Sequence, residues 1–228
     1  MSKLIVFDVD GTFVNSWPAF EKIVLAYTNE NNLPQPCLET LRVGYGAPEE
    51  HQFWPGLPQE DQKTHLFNTF AMIDNLRPEG SPAEDMPALY DGVLETMTRL
   101  KDLNHTLAIV TAKPYEPLIG ILDFYDIEKH FCAMRTHNDV KNRGERMKPY
   151  PDQLLSVMSE LDFSTRDTVM IGDTDMDMNM ANAAGVDAIG VTWGNHCQMR
   201  LNKAGAAHIV EDEFHQIVDT VDLIFKAE

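Results

Sequence analysis

The sequence predicts an α/β protein: a doubly wound parallel sheet with a small all-α domain inserted after the first strand. Three observations lead there. Leu4-Ile5-Val6-Phe7 is apolar without polar alternation, as in a strand buried on both faces of a parallel sheet, and it stops abruptly at Asp8 and Asp10. From residue 93 onward, apolar runs alternate with helical patterns, which implies parallel strands joined by right-handed crossovers. Between these two regions, residues 15–87 carry helical patterns that end in a Pro- and Gly-rich linker. The expected division is therefore a core of residues 1–14 and 88–228 and a helical cap of residues 15–87.

Taken in order, the first strand is followed by a helix over 16–33. Asn15 or Ser16 can cap it, Pro18 fits its first turn, and Phe20, Ile23, Val24 and Tyr27 recur at helical spacing. A short helix over 37–43 stops at Gly44-Tyr45-Gly46. Helices over 49–54 and 59–75 are separated by Pro55-Gly56-Leu57-Pro58, and residues 77–87 form a Pro- and Gly-rich linker. The alternating part then begins. A helix over 93–103 presents Val93, Leu94, Met97, Leu100 and Leu103 on one face. Strands follow over 106–111, 131–134, 168–172, 187–191 and 207–210, with helices over 117–125, 152–161, 177–184 and 214–225.

Composition narrows the function. Apolar content of 43% and charged content of 24% are ordinary for a globular protein. No apolar run is long enough to span a bilayer, and Met1-Ser2-Lys3 leads straight into the strand without a signal-peptide pattern. The expected location is cytoplasmic, as a monomer or homodimer. A net charge of −18, from 36 acids against 18 bases, repels nucleic acid and anionic membranes at long range. An anionic substrate would then need a locally positive site. Cys37, Cys132 and Cys197 are few and widely spaced, as expected of reduced core thiols and unlike a disulfide framework.

Four places can carry chemistry, each at a strand end or in a turn before a helix. Open α/β sheets bind ligands outside the carboxyl ends of their strands. At the first, Asp8 and Asp10 are close like charges, which a bound cation or acid/base work would justify. At the second, Val110-Thr111-Ala112-Lys113 ends a strand. The Thr111 hydroxyl and adjacent amides can bind a phosphoryl oxygen, or Thr111 can simply cap a helix; Lys113 either adds charge or is a solvated surface lysine. At the third, Met147-Lys148-Pro149-Tyr150-Pro151 precedes a helix, and the prolines aim Lys148. At the fourth, Asp173 ends a strand and Asp177 starts a helix, so both can face one hard cation. A calcium loop is the competing reading of Asp173, Asp175 and Asp177. It fails because Met178 and Ala184 stand where glycine and glutamate are needed. Asp175 is left to face solvent or to cap the helix.

Asp8-Val9-Asp10-Gly11-Thr12, the strand-ending Thr111, Lys148-Pro149-Tyr150-Pro151 and Gly172-Asp173 followed by Asp177 resemble, in this order, the four motifs of the haloacid dehalogenase-like hydrolases. The insert after the first motif resembles that of the helical-cap, phosphoglycolate phosphatase-like group. The resemblance implies magnesium-dependent hydrolysis of a small phosphorylated metabolite, with phosphoglycolate the leading candidate. By the same resemblance, Asp8 is the nucleophile and Asp10 the general acid and base. Lys148 and Thr111 complete the catalytic set, with the Val9 and Ala112 amides orienting the phosphoryl group. Magnesium would be held by the Asp8 side chain, the Asp10 carbonyl, Asp173 and, behind it or through water, Asp177. Arg42 either meets a second anionic group of the substrate or is a surface arginine. Alternatives within the family are a pyrophosphatase, a nucleotidase or a sugar phosphomutase; outside enzymes, a phosphometabolite-binding protein. The second aspartate, Asp10, speaks against dehalogenation. Phe13 and Asn15 depart from the commoner Leu and Asp of capped relatives, at positions bordering the cap.

Overall fold

The structure is a computed structural model, and it describes residues 2–44, 53–74 and 86–226. In chain order, β1 (Leu4–Phe7) and β2 (Val14–Asn15) lead into α1 (Trp17–Glu30), α2 (Leu38–Val43) and α3 (Gln59–Asp74), and β3 (Ala88–Leu89) follows. Then come α4 (Val93–Asp102), β4 (Thr106–Val110), α5 (Tyr115–Phe124), β5 (Phe131–Arg135), α6 (His137–Arg143) and α7 (Asp152–Leu161). The chain finishes with β6 (Thr168–Gly172), α8 (Asp175–Ala184), β7 (Asp187–Val191), α9 (Gln198–Lys203), β8 (His208–Val210) and α10 (Gln216–Lys226).

Six strands form one parallel sheet in the order β5-β4-β1-β6-β7-β8. The chain runs outward from β1 in one direction through β4 and β5. It then returns to build the other half from β6. This is a doubly wound sheet, and its switch point lies between β1 and β6, where the ends of adjacent strands leave a crevice. Alternate β1 side chains go to opposite faces. Ile5 and Phe7 pack with residues of α4, α5 and α10, whereas Leu4 and Val6 pack with residues of α7 and α8. Both faces are covered, which explains why β1 reads as an unbroken apolar run.

The inserted helices have a separate apolar cluster of Phe20, Val24, Leu41, Phe53, Trp54 and Leu66. Trp54 is fully buried there, and its indole N–H donates to the Thr28 hydroxyl at 3.0 Å. The two chain crossings between the helical insert and the sheet pair with each other: β2 and β3 are antiparallel, Val14 opposite Leu89 and Asn15 opposite Ala88.

Several expectations change. Ser16 stands at the start of α1 but makes no side-chain cap bond. Residues 137–143, assigned no element from the sequence, form α6. Thr136 and Asp139 form a capping box that starts α6, and Gly144 ends it in the left-handed region. Arg143 pairs with Asp139 at 3.0 Å and Arg146 with Asp152 at 2.8 Å, so neither is aimed at a phosphate. The short helix α9 also went unanticipated. All three cysteines are exposed instead of buried: Cys37 and Cys197 are helix N-caps, and Cys132 lies on the edge strand β5. Of the expected helix over 49–54, residues 49–52 lie outside the described residues, and Phe53 and Trp54 are not helical. Tyr45, Gly46, His51 and most of the 77–87 linker also lie outside them. No helix among the described residues is long and apolar enough to cross a membrane.

Candidate active site

The site is assembled at the switch point by three main-chain segments that converge. Asp8 leaves β1 while still paired to its neighbour, its N–H donating to the Ile171 carbonyl at 2.9 Å. The chain then turns sharply, and the amides of Thr12, Phe13 and Val14 all donate to the Val9 carbonyl at 3.0–3.1 Å. Gly11 makes this possible with φ of +80°, and a Cβ there would lie 2.2 Å from the Asp173 Oδ2. The loop after β7 arrives from the other side. A Cβ on Gly194 would lie 2.3 Å from the same Asp173 oxygen and 2.5 Å from the Gly11 carbonyl. Both glycines let backbone approach a buried carboxylate closely.

Asp8, Asp173 and Asp177 each place a carboxylate oxygen within 4.8 Å of the others. Lys148 lies among them, 2.7 Å from Asp8 Oδ1 and 2.6 Å from Asp177 Oδ1, with its side chain only 7% exposed. Asp177 is further committed through Oδ2, which accepts from the Thr174 amide at 3.1 Å and its hydroxyl at 2.6 Å as the capping box of α8. Asp175 neither caps the helix nor faces solvent freely: it pairs with Arg200 at 2.6 Å.

Three buried carboxylates against one ammonium leave an electrostatic imbalance. Burial pushes the Asp8 carboxyl up to about 6, Lys148 opposing this and Asp177 adding to it. Burial, followed by repulsion from Asp8 and Asp177, also lifts Asp173 well above the usual carboxylate range. Burial disfavours the Lys148 ammonium, but the combined pull of Asp177 and Asp8 outweighs it and holds its pKa above the ordinary lysine value. A hard divalent cation with oxygen ligands fits this donor set, because it supplies the missing positive charge.

The end of β4 lies next to that of β1 in the sheet. Thr111 is buried, and its hydroxyl accepts from the Lys113 amide at 3.2 Å in a local turn. The helix-capping alternative is excluded, since α5 begins at Tyr115 with Pro114 as its cap. Ala112 is exposed beside it. Lys113 is no surface lysine: it is buried, with Nζ 3.1 and 3.0 Å from the two carboxylate oxygens of Asp10. Asp10 therefore turns its side chain toward Lys113 and is not one of the three clustered acids. The Val9 amide donates to the Asp8 carboxylate, and the Val9 side chain is buried in the core.

Arg42 reaches the site from α2. Its Nη2 donates to the Gly194 carbonyl at 3.0 Å and to that of Trp193 at 3.4 Å. In the same loop, the Asn195 amide and side chain both donate to Asp173 Oδ2 at 2.8 Å. Among the described residues, the His196 ring makes no hydrogen bond to the three clustered carboxylates. Its Nδ1 accepts from the Asp175 amide and its Nε2 lies 2.9 Å from the Val43 carbonyl, so it joins α8 to α2. Tyr90 also touches this loop through its hydroxyl, which donates to Trp193 at 3.4 Å. The Lys113 pairing, the Asn195 grip and Tyr90 escaped sequence reasoning. No local pattern marks any of them.

A family model described as haloacid dehalogenase-like hydrolase matches residues 5–191. The chain is 30% identical over 230 residues to the protein named "Probable phosphatase IndB" of Dickeya dadantii (strain 3937), covering 99% of this chain and 96% of that one. It is 29% identical to the phosphoglycolate phosphatase of Haemophilus influenzae (strain 86-028NP), covering 92% and 94%. Among solved structures, it superposes on a haloacid dehalogenase-like family hydrolase from Streptococcus pneumoniae with a TM-score of 0.77 at 19% identity, covering 96% and 98%. It also superposes on a structure described as a predicted phosphoglycolate phosphatase from Haemophilus somnus 129pt, with a TM-score of 0.74 at 23% identity, covering 96% and 97%. These two likenesses speak for the fold.

Proposed function

The chain belongs to the haloacid dehalogenase-like hydrolases, in their phosphoglycolate phosphatase-like group, and we propose that it is a magnesium-dependent phosphatase acting on a small phosphorylated metabolite. The phosphatase class follows from the family and from the phosphatases it resembles. Phosphoglycolate is the leading substrate. The observation that carries the reading is the buried Asp8–Lys148–Asp177 chain beside Asp173, at the switch point of the sheet.

In this reading an Asp8 oxygen attacks phosphorus in line with the departing oxygen. The bond to that oxygen breaks, and Asp10 delivers a proton to it. Water then attacks the aspartyl-phosphate, Asp10 takes its proton, and Asp8 is released with orthophosphate. Lys148 holds Asp8 in place through its 2.7 Å contact and offsets negative charge on nucleophile and phosphate together. Thr111 and the amides of Val9 and Ala112 orient the phosphoryl oxygens. Asp8, the Asp10 carbonyl and Asp173 would hold magnesium, with Asp177 behind them. When bound, the ion supplies positive charge that allows two anions to meet. Asp177 is suited to a backing role, because Lys148 and Thr174 already occupy both its oxygens.

Residues 15–87 form the cap in this reading, and the rest of the chain forms the core. The separate apolar cluster of the helices and the pairing of β2 with β3 at the two crossings support that division. The cap would set the leaving group, with Arg42 available to meet a second anionic group of the substrate.

Assay of a phosphate-ester panel with and without magnesium tests the reading. Phosphate release from phosphoglycolate that is abolished by chelation supports it. Release only from pyrophosphate or nucleoside monophosphates would move the substrate assignment. Thermal stabilisation by phosphate esters without any turnover would replace the enzyme with a binding protein.

A further inference from the structure

We propose that Lys113 is the positioning residue of Asp10, holding one oxygen of its carboxyl through both proton transfers. The inference rests on the phosphatase reading above, and on a geometry that reading does not use. A lysine at the end of β4 is ordinarily expected to reach solvent, yet the Lys113 side chain is 5% exposed. Its main chain is fixed at both ends: the amide donates to Thr111 Oγ1 at 3.2 Å, and the carbonyl accepts from the His137 amide at 3.1 Å. From that anchorage Nζ meets both Asp10 oxygens, at 3.1 and 3.0 Å.

An ammonium has three donors and no acceptor. It can bond to Asp10 whether that group is a carboxylate or a carboxylic acid, because the acid form keeps a second oxygen that accepts. One Asp10 oxygen then stays with Lys113 as a pivot. The other carries the proton to the leaving group and later takes one from water. Asp10 lies at the start of the sharp motif turn, with only the 17% exposure of its side chain left open to solvent. A misdirected carboxyl there would leave proton transfer to chance encounters, and misplacement of about 1 Å can cost roughly 100-fold.

The test uses two aryl esters that differ in how much their leaving oxygen needs a proton. In the magnesium-loaded protein, Lys113→Met should lower kcat/KM for phenyl phosphate roughly ten times more than for p-nitrophenyl phosphate, because nitrophenolate departs with little help from an acid. Lys113→Arg, which keeps a cation on Asp10, should recover part of the phenyl phosphate rate. Melting temperatures of all variants check the fold. If Lys113→Met melts far below the wild type, Lys113→Gln carries the same comparison. An equal fall for both esters, or no fall, overturns the Lys113 assignment. A wild-type protein that releases phosphate from neither ester and from no member of the phosphate-ester panel overturns the phosphatase reading itself.

Discussion

Asn195 grips Asp173 by a single oxygen: its main-chain N–H and its side-chain amide both donate to Oδ2 at 2.8 Å. Among the described residues, the Oδ1 atom has only a long contact, 3.4 Å, with the Thr12 hydroxyl. Two donors on one oxygen favour the carboxylate, while burial and the nearby Asp8 and Asp177 oppose it, and the opposition prevails. Asp173 is thus oriented by its neighbours but not neutralised by them. The same loop carries the Gly194 carbonyl that receives Arg42, so one segment touches both the helical insert and the carboxylate cluster.

Removing the grip should weaken metal binding before it weakens the fold. Asn195→Ala keeps the main-chain donor and deletes the side-chain one. Loss of a partner that orients a metal-ligating carboxylate typically costs about 10- to 100-fold in affinity. The expected result is a magnesium dissociation constant raised by roughly that factor, read by calorimetric titration. An unchanged constant would remove Asp173 from the metal site.

Lys148 is expected to be structurally indispensable in the metal-free protein. Lys148→Met would leave Asp8 and Asp177 facing each other, buried and unpaired. Breaking a buried pair from one side costs about 3–5 kcal/mol. Denaturant unfolding in chelator at neutral pH should show a loss of that order. Magnesium should restore part of it, since a cation replaces some of the missing charge. A variant as stable as the wild type in chelator would show that the cluster is not electrostatically strained.

The sheet and the four acids were legible because they break a simple pattern. Apolar runs such as Leu4–Phe7 suit strands covered on both faces, and a carboxylate ending such a run stands out. The prolines beside Lys148 made that lysine conspicuous in the same way. Lys113 was not legible. Lysine is seldom buried, and its partner Asp10 meets it only after β1 and β4 pair. Asn195 is equally silent, because its contact with Asp173 is made by a loop beyond the next strand. The capping box of Thr136 and Asp139 that starts α6 was not read from the sequence, because nothing apolar and periodic follows it. The cysteines were misplaced because a core preference for thiols says nothing of helix caps or of an edge strand, where alternate side chains face outward.

Acidity should oppose metal binding in a defined window. The Asp8 carboxyl is pushed up to about 6, mainly by burial, from an ordinary 3.8. Between those values the folded protein keeps a proton that the unfolded chain has released. The Asp8 contribution to stability is therefore present below the lower value and lost as pH rises through about 6. A cation competes with that proton, so its affinity should strengthen over the same rise. The magnesium-induced rise in melting temperature should be larger at pH 7.5 than at pH 5. The difference in metal-free stability between wild type and Asp8→Asn, followed from pH 4 to 7, should shift toward the variant as pH rises. A difference that does not change with pH would separate Asp8 from this window.

Asp8→Asn is the most direct probe of the chemistry. The asparagine has nearly the same shape, can still accept from the Val9 amide, and leaves Lys148 paired with Asp177 at 2.6 Å. It also removes a charge that burial disfavours. The folded protein should therefore persist, with a melting temperature in chelator at least as high as that of the wild type at pH 7.5. An amide oxygen is a poor nucleophile, and losing a catalytic nucleophile commonly lowers kcat by roughly 10⁴-fold or more. Phosphate release from the variant should fall by that order, and no phosphorylated protein should accumulate on rapid acid quench. Near-normal turnover by a folded Asp8→Asn protein would move the nucleophile elsewhere.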